Sequence, residues 1–487
     1  MNNTLNTLQP EALWKYFSEI SSVPRPSKKE ERILDYLIAF ATTHQLSWVQ
    51  DSCGNVLIRK PAAVGFENVV PVVLQCHVDM VCEKNADVEF DFLNDPIVPK
   101  VDGEWVVASG TTLGADNGVG MAAMLAILQS NDISHGPLEC LFTIDEETGL
   151  TGAFGLDAEL LQGRIMLNLD SADEGELCIG CAGGIDTEGV FSFETASPLN
   201  NQTAYSIKVS GLLGGHSGDD INRGRGNSIK ILARLLWNID KQFHINLASI
   251  QGGNLRNAIA REALAVVSIP EHLKTNLEEF FKVLSNEIIA EWDVYEPEIK
   301  MELLAVGMPK AFMVSDFKKT LISMLFSCPH GVLAMSANIP GLVETSTNLA
   351  SVKTLEGKVI VATSQRSALE SGKKLASQMM ASSFELAGAT YKHGDGYPGW
   401  KPDVASQILK TCAQTYKELF GIEPKVLAIH AGLECGVIGG KYPGMDMISF
   451  GPTIKGAHSP DERVDIASVK KFWEFTLAVL KNLPKRD

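Results

Sequence analysis

One apolar run after another in this chain ends beside a histidine or an acid. Residues 69–74 (Val-Val-Pro-Val-Val-Leu) lead into Cys76-His77-Val78-Asp79. Leu141-Phe142-Thr143-Ile144 leads into Asp145-Glu146-Glu147, and Met166-Leu167-Asn168-Leu169 leads into Asp170. The Gly-rich loop Ser109-Gly110-Thr111-Thr112-Leu113-Gly114 delivers Asp116 to the start of an apolar helix expected over 118–128. A strand expected over 445–450 is followed by a loop that carries His458. Short apolar runs bounded by turn residues read as buried strands, and open α/β sheets build their sites outside the carboxyl ends of such strands. The layout therefore restricts the fold to an α/β domain with a mostly parallel sheet, whose strand ends can converge on one cleft.

Two histidines and three carboxylates form a ligand set for two divalent ions, with zinc the leading candidate. Paired ions need a shared carboxylate. Asp116 is the natural bridge, because the glycines before it let the backbone come close. On an extended segment Glu146 and Glu147 point to opposite sides, so one can bind metal while the other holds a proton of the attacking water. Each residue also has a plainer reading. An acid after a strand is most often a helix cap or turn residue. The case rests on recurrence at one topological position. His244 and His330 are assigned structural roles, and Cys178-x-x-Cys181 has no second cysteine pair to complete a zinc knuckle.

The flanking segments set the domain plan. Helix and strand patterns alternate from about residue 10 to 177, with strands expected at 56–59, 70–76, 138–144 and 165–169. After Cys181-Ala182-Gly183-Gly184 the strands become alternating, at 187–193, 204–209, 263–269 and 358–363, with helices between them. That is an α+β pattern. The turn-rich Gly394-Asp395-Gly396-Tyr397-Pro398-Gly399 closes it, and an α/β pattern resumes. The expected plan is a catalytic domain formed by 1–184 and 394–487, with a domain inserted at 185–393. The insert has the length of two successive ferredoxin-like units. With 487 residues and 45% hydrophobic content the chain can build both domains. A net charge of −17 disfavours nucleic acid and anionic membranes as partners. No apolar stretch approaches the ~20 residues of a membrane span, and no secretory signal pattern is present. Nine cysteines without a framework indicate reduced thiols and a cytoplasmic setting.

The set His77-x-Asp79, Gly114-Ala115-Asp116-Asn117-Gly118, Asp145-Glu146-Glu147-Thr148-Gly149, Asn168-Leu169-Asp170 and Ala457-His458-Ser459-Pro460 resembles the aminoacylase/carnosinase family of two-zinc metallopeptidases. The resemblance spans nearly the whole chain. It implies that His77, Asp116, Glu147, Asp170 and His458 are metal ligands, with Asp116 bridging. His77 and Asp170 would share one zinc, and Glu147 and His458 the other. Glu146 would be the general base, and Asp79 would hold the His77 tautomer. The inserted domain would act as a lid. There His216 would steady the oxyanion, and Asn257 and Arg366 would grip the substrate. The Asp116–Asn117 peptide bond would be cis.

The implied activity is hydrolysis of dipeptides, including Xaa-His dipeptides such as carnosine, by a water that bridges the metals and is activated by Glu146. An N-acyl amino acid deacylase of the same family is the alternative. A non-catalytic metal-dependent binding protein is the alternative from another class, and an intact Glu146 argues against it. Short peptides are the expected partners, and a homodimer is left open.

Overall fold

The computed structural model describes residues 4–486. They form two compact units. One contains the chain up to Cys181, Trp400–Ala428 and the chain from Leu433 onward; the other contains Ala182–Gly399 and Ile429–Gly432. The boundaries expected at 185 and 393 differ by a few residues. The strand Gly183–Ser192 starts almost directly after Glu176–Cys181, and Tyr397 exchanges backbone hydrogen bonds with Gly184. Ile429–Gly432 had been assigned to the catalytic part and instead belongs to the second unit.

The first unit is built on an eight-stranded sheet. Its order is Ser47–Gln50, Val56–Lys60, Leu138–Thr143, Val72–His77, Ile165–Asn168, Asp446–Ser449, Glu176–Cys181 and Lys425–Ile429. The middle four strands are parallel to one another, while antiparallel pairings flank them. Val72–His77 and Leu138–Thr143 are buried at every position. That pattern suits strands covered on both faces and explains why their sequences run apolar without alternating. The helix Ala115–Gln129 is also buried nearly all round, from Val119 to Leu128, and packs against the helix Glu11–Ser21 and the strand Val72–His77. A helix apolar on every side has to be internal.

The second unit holds a nine-stranded sheet whose pairings are antiparallel. Gln202–Ser210, helix Ser228–Phe243, Asn246–Gly252, Ala263–Pro270, helix Lys274–Trp292 and Lys300–Val306 form one β-α-β-β-α-β set. Its first strand lies between its third and fourth. Gly183–Ser192, helix Ser315–Ser327, Val343–Leu355, Lys358–Ser367, helix Glu370–Leu386 and Thr390–His393 repeat that order. The two sets are nested, not successive as the sequence suggested: the first lies in the chain between the opening strand and the first helix of the second. Asn246–Gly252 and Val343–Leu355 join them edge to edge. Helix Ser228–Phe243 shows how local sequence sets this packing. Asn227 accepts from the Ile229 and Lys230 amides, and Ile231, Leu232, Leu235, Leu236 and Ile239 bury one stripe in the shared core.

Candidate metal centre

The parallel strands deliver the expected residues to one end of the first unit's sheet. His77 is the last residue of its strand and lies in register with Thr143 of the next. Beyond Thr143 the chain turns through Asp145, at φ 47°, into the short helix Glu146–Gly149. Asp170 follows Ile165–Asn168. His458, at φ 64°, lies in the turn between the short paired strands Ile454–Lys455 and Arg463–Asp465. Left-handed backbone at non-glycine residues is uncommon, and here two of them stand at or beside candidate ligands. The Asp116–Asn117 peptide bond is cis.

His77, Asp116 and Asp170 offer ligand atoms within 4.8 Å of one another, and so do Asp116, Glu147 and His458. Asp116 belongs to both groups. His77 Nε2 lies 3.0 Å from Asp116 Oδ1 and 3.4 Å from Asp170 Oδ1. His458 Nε2 lies 3.5 Å from Asp116 Oδ2 and 3.1 Å from Glu147 Oε2. On the far side of the ring, His77 Nδ1 is 3.1 Å from the Asp79 backbone carbonyl, its hydrogen-bond partner, and 3.3 Å from Asp79 Oδ1, so that Asp79 oxygens stand where a tautomer is fixed. Asp79 also accepts from the backbone amides of Glu146 and Glu147 and from Ser27 Oγ, so it anchors the acidic turn as well.

Glu146 and Glu147 open a helix and are not on an extended segment, and both come within 4.8 Å of His77 with their ligand atoms. Their separation into base and ligand therefore cannot come from strand alternation. The two carboxyls differ in their surroundings. Burial, together with the neighbouring acids Asp170, Glu434 and Glu147, holds the Glu146 carboxyl well above the usual carboxylate range. Glu147 has a buried Oε1 with no hydrogen-bond partner.

The donor set fits divalent cations. Burial pushes Asp170 up to about 7. Hydrogen bonds to Asp116 and Glu147 push His458 up to about 10. Burial would raise Asp116, but its hydrogen bonds to His458 and His77 outweigh that and hold it low. Crowded carboxylates are thus satisfied by shared protons and imidazolium, and a cation can replace those protons. Imidazole nitrogen with carboxylate oxygen suits zinc and other borderline divalent ions.

Beneath the ligands lies a polar row that the sequence did not announce. Thr143, Gln75, Asn168 and Ser449 are linked across the four parallel strands, and Ser171 continues the row. Glu434 closes it, with Oε2 accepting from Gln75 at 2.6 Å and from Thr143 at 2.7 Å, while burial pushes its carboxyl up to about 7. Glu434 begins the helix Glu434–Lys441, which the sequence reading missed because Gly436, Gly439 and Gly440 make it look like a loop. Asn117 Nδ2 donates to Asp170 at 2.6 Å, and its place beside Asp116 was the available signal.

The remaining candidates lie in the second unit, where the His216 and Arg366 side chains meet and Asn257 is bound through its backbone. His216 Nε2 is 3.4 Å from Arg366 Nη2, and the Ser217 amide donates to Asn257 O at 2.7 Å. Arg366 had been placed after its strand, but it lies within Lys358–Ser367 and is 7% exposed. The polar ending Ser364-Gln365-Arg366-Ser367 hid that extension. Arg366 donates to Tyr397 Oη at 2.9 Å. His330 accepts from the Leu349 amide and His244 caps a helix, both in structural roles. Cys178 and Cys181 are buried thiols on one strand.

The model of peptidase family M20/M25/M40 matches residues 73–482, and the chain belongs to that family. The cytosol non-specific dipeptidase of Escherichia coli is 43% identical over 487 residues, covering 99% of each chain. The crystal structure of an aminoacylhistidine dipeptidase from Vibrio alginolyticus, 44% identical, covers 99% of each chain at a TM-score of 0.93. A tripeptidase from Staphylococcus aureus, at 17% identity, covers 97% of this chain and 98% of its own at a TM-score of 0.57, a likeness of fold alone.

These proton positions predict how metal uptake behaves. At pH 7 His458, pushed up to about 10, carries a proton that a ligating nitrogen has to lose, and Asp170, at about 7, is partly protonated. Titrating zinc into metal-free protein should therefore release protons at pH 7, and fewer as the pH rises toward 10. Calorimetry in buffers of different ionisation heat reads this directly. Heats independent of buffer would contradict the assignment.

Proposed function

We propose that the protein is a cytosolic metal-dependent dipeptidase that uses two divalent ions, zinc in the first place, and takes Xaa-His dipeptides such as carnosine among its substrates. The observation that carries this reading is the pair of ligand groups sharing Asp116, with Glu146 beside them. The dipeptidase relative from E. coli, similar from end to end, supports the substrate class and the cytosolic setting.

In this reading His77, Asp116 and Asp170 hold one ion, and Asp116, Glu147 and His458 hold the other. When bound, the ions supply Lewis-acid polarisation of the scissile carbonyl and make water acidic enough to attack near neutral pH. Glu146 takes the proton of the attacking water on a carboxylate oxygen and passes it to the leaving amine. Its burial, which raises the carboxyl, favours holding the proton until the leaving amine takes it. Asp79 keeps His77 Nδ1 hydrogen-bonded, so that Nε2 remains the ligating atom. The second unit is proposed as the lid. His216 steadies the oxyanion, and Asn257 and Arg366 hold the substrate, the guanidinium meeting its terminal carboxylate.

Glu146→Gln should lower kcat by roughly 10²–10⁴ while metal content stays at the wild-type value. Loss of an ion in that variant would make Glu146 a ligand and exchange its role with Glu147. Arg366→Ala should raise KM for dipeptides and narrow their advantage over tripeptides, with both ions retained. A buried guanidinium left facing an uncharged amide costs several kcal/mol, and that cost is the proposed source of the length limit. An unchanged dipeptide-to-tripeptide ratio would place carboxylate recognition elsewhere.

The function itself is tested by turnover on a panel of Xaa-His and other dipeptides, tripeptides and N-acetyl amino acids, before and after chelation. Metal-dependent cleavage of dipeptides with little action on acetylated amino acids is the expected result. The reverse preference identifies a deacylase, and binding without turnover identifies a metal-dependent binding protein.

A further inference from the structure

Glu462 is 3% exposed, yet its carboxylate has no side-chain cation beside it in hydrogen-bond contact among the described residues. Its partners are consecutive backbone amides. Oε2 accepts from Leu113 at 2.7 Å and Gly114 at 2.8 Å; Oε1 accepts from Ala115 at 2.7 Å and Asp116 at 3.2 Å. Burying a carboxylate is costly, and successive N–H groups at a helix start can hold it, here with the charge of the buried Arg25 guanidinium nearby. Gly114 makes the curve possible with φ 70°, and a Cβ there would come within 2.6 Å of Arg25 Nη2. Arg25, itself 2% exposed, grips the same loop from its carbonyl side. Its Nη2 donates to Gly114 O at 2.5 Å and its Nη1 to Val78 O at 2.9 Å and Asp79 O at 2.8 Å.

An acid at a helix N-terminus is commonly a simple cap. Glu462 differs in where it comes from. It sits in the turn between Ile454–Lys455 and Arg463–Asp465, the same turn that carries His458. Arg463–Asp465 in turn pairs with Trp105–Val107, the strand that leads into the Gly-rich loop. One carboxylate thus ties the loop bearing Asp116 to the loop bearing His458, and these two side chains belong to one ligand group.

We propose that Glu462 is a positioning residue that fixes Asp116 against His458 and so builds the ion site formed by Asp116, Glu147 and His458. The inference rests on the metal assignment proposed above. It makes the two sites unequal in their dependence on this residue. His77 and Asp170 are set by the ends of parallel strands, whereas His458 reaches the centre on a turn tied to the Asp116 loop by this carboxylate and, farther from the ligands, by the pairing of Arg463–Asp465 with Trp105–Val107.

The test is zinc titration of metal-free wild type, Glu462→Gln and Glu462→Asp against a competing chelator, repeated with cobalt to read the ligand field by visible absorption. Gln keeps the size but offers one acceptor oxygen and turns an amide group toward backbone donors. Wild type should bind two ions. Glu462→Gln should bind one ion about 10–100-fold more weakly, a range usual for residues that orient metal ligands, and the other, which shares Asp116 but not His458, with a clearly smaller loss. One component of the cobalt spectrum should change, and kcat should fall further than KM rises. Glu462→Asp, which keeps the charge, should recover part of the affinity. Wild-type affinity at both sites in Glu462→Gln would overturn the proposal. So would an equal weakening of both sites that tracks a lower melting temperature of the metal-free protein, the mark of a plain cap. If Glu462→Gln does not fold, Glu462→Asp decides by the same two criteria. Wild type that binds no ion would overturn the metal assignment, an outcome distinct from two-ion binding by every variant.

Discussion

The organising constraint of the first unit is electrostatic. Asp116, Asp170, Glu146 and Glu147 crowd around His77 and His458, with Asp79 and Glu434 close behind. Like charges at such separations raise one another's pKa, and burial adds to that. Without a cation, protons on Asp170 and His458 hold the cluster together. Much of the surrounding architecture manages this charge. Asp79 takes two backbone amides of the acidic turn, Asn117 donates to Asp170, and Glu462 accepts from four backbone amides with the buried Arg25 guanidinium nearby.

The sheet provides the other half of the explanation. Parallel strands end together, so residues at the ends of Val72–His77, Leu138–Thr143 and Ile165–Asn168 reach one region although the chain separates them widely. The polar row of Thr143, Gln75, Asn168 and Ser449 lies one layer deeper. It gives the ligands a hydrogen-bonded floor in a core that is otherwise apolar, which limits how the side chains above it can reorient.

The candidate ligands His77, Glu147 and Asp170 were legible in the sequence because each follows an apolar run, and Asp116 because it follows a Gly-rich loop; that pattern survives without knowledge of contacts. The parallel middle of the sheet was legible for the same reason. Residues whose role depends on distant partners were not. Glu434 is separated from Gln75 along the chain and opens a glycine-rich helix of low intrinsic propensity. Glu462 reads as one charged residue among Asp461, Glu462 and Arg463, and only the fold shows it holding four amides. Val343–Leu355 escaped notice because its buried Thr345-Ser346-Thr347-Asn348 breaks the apolar alternation by which strands are recognised. The nesting of the two β-α-β-β-α-β sets depends on strand order, which local pattern does not encode.

The two-ion centre proposed at this end of the sheet has Asp116 in common to both ions. Anomalous X-ray diffraction recorded at the zinc absorption edge, on crystals of zinc-loaded protein, tests it most directly. The account predicts two peaks per chain, one among His77, Asp116 and Asp170 and the other among Asp116, Glu147 and His458. A single peak, or a second ion bound away from Asp116, would contradict it.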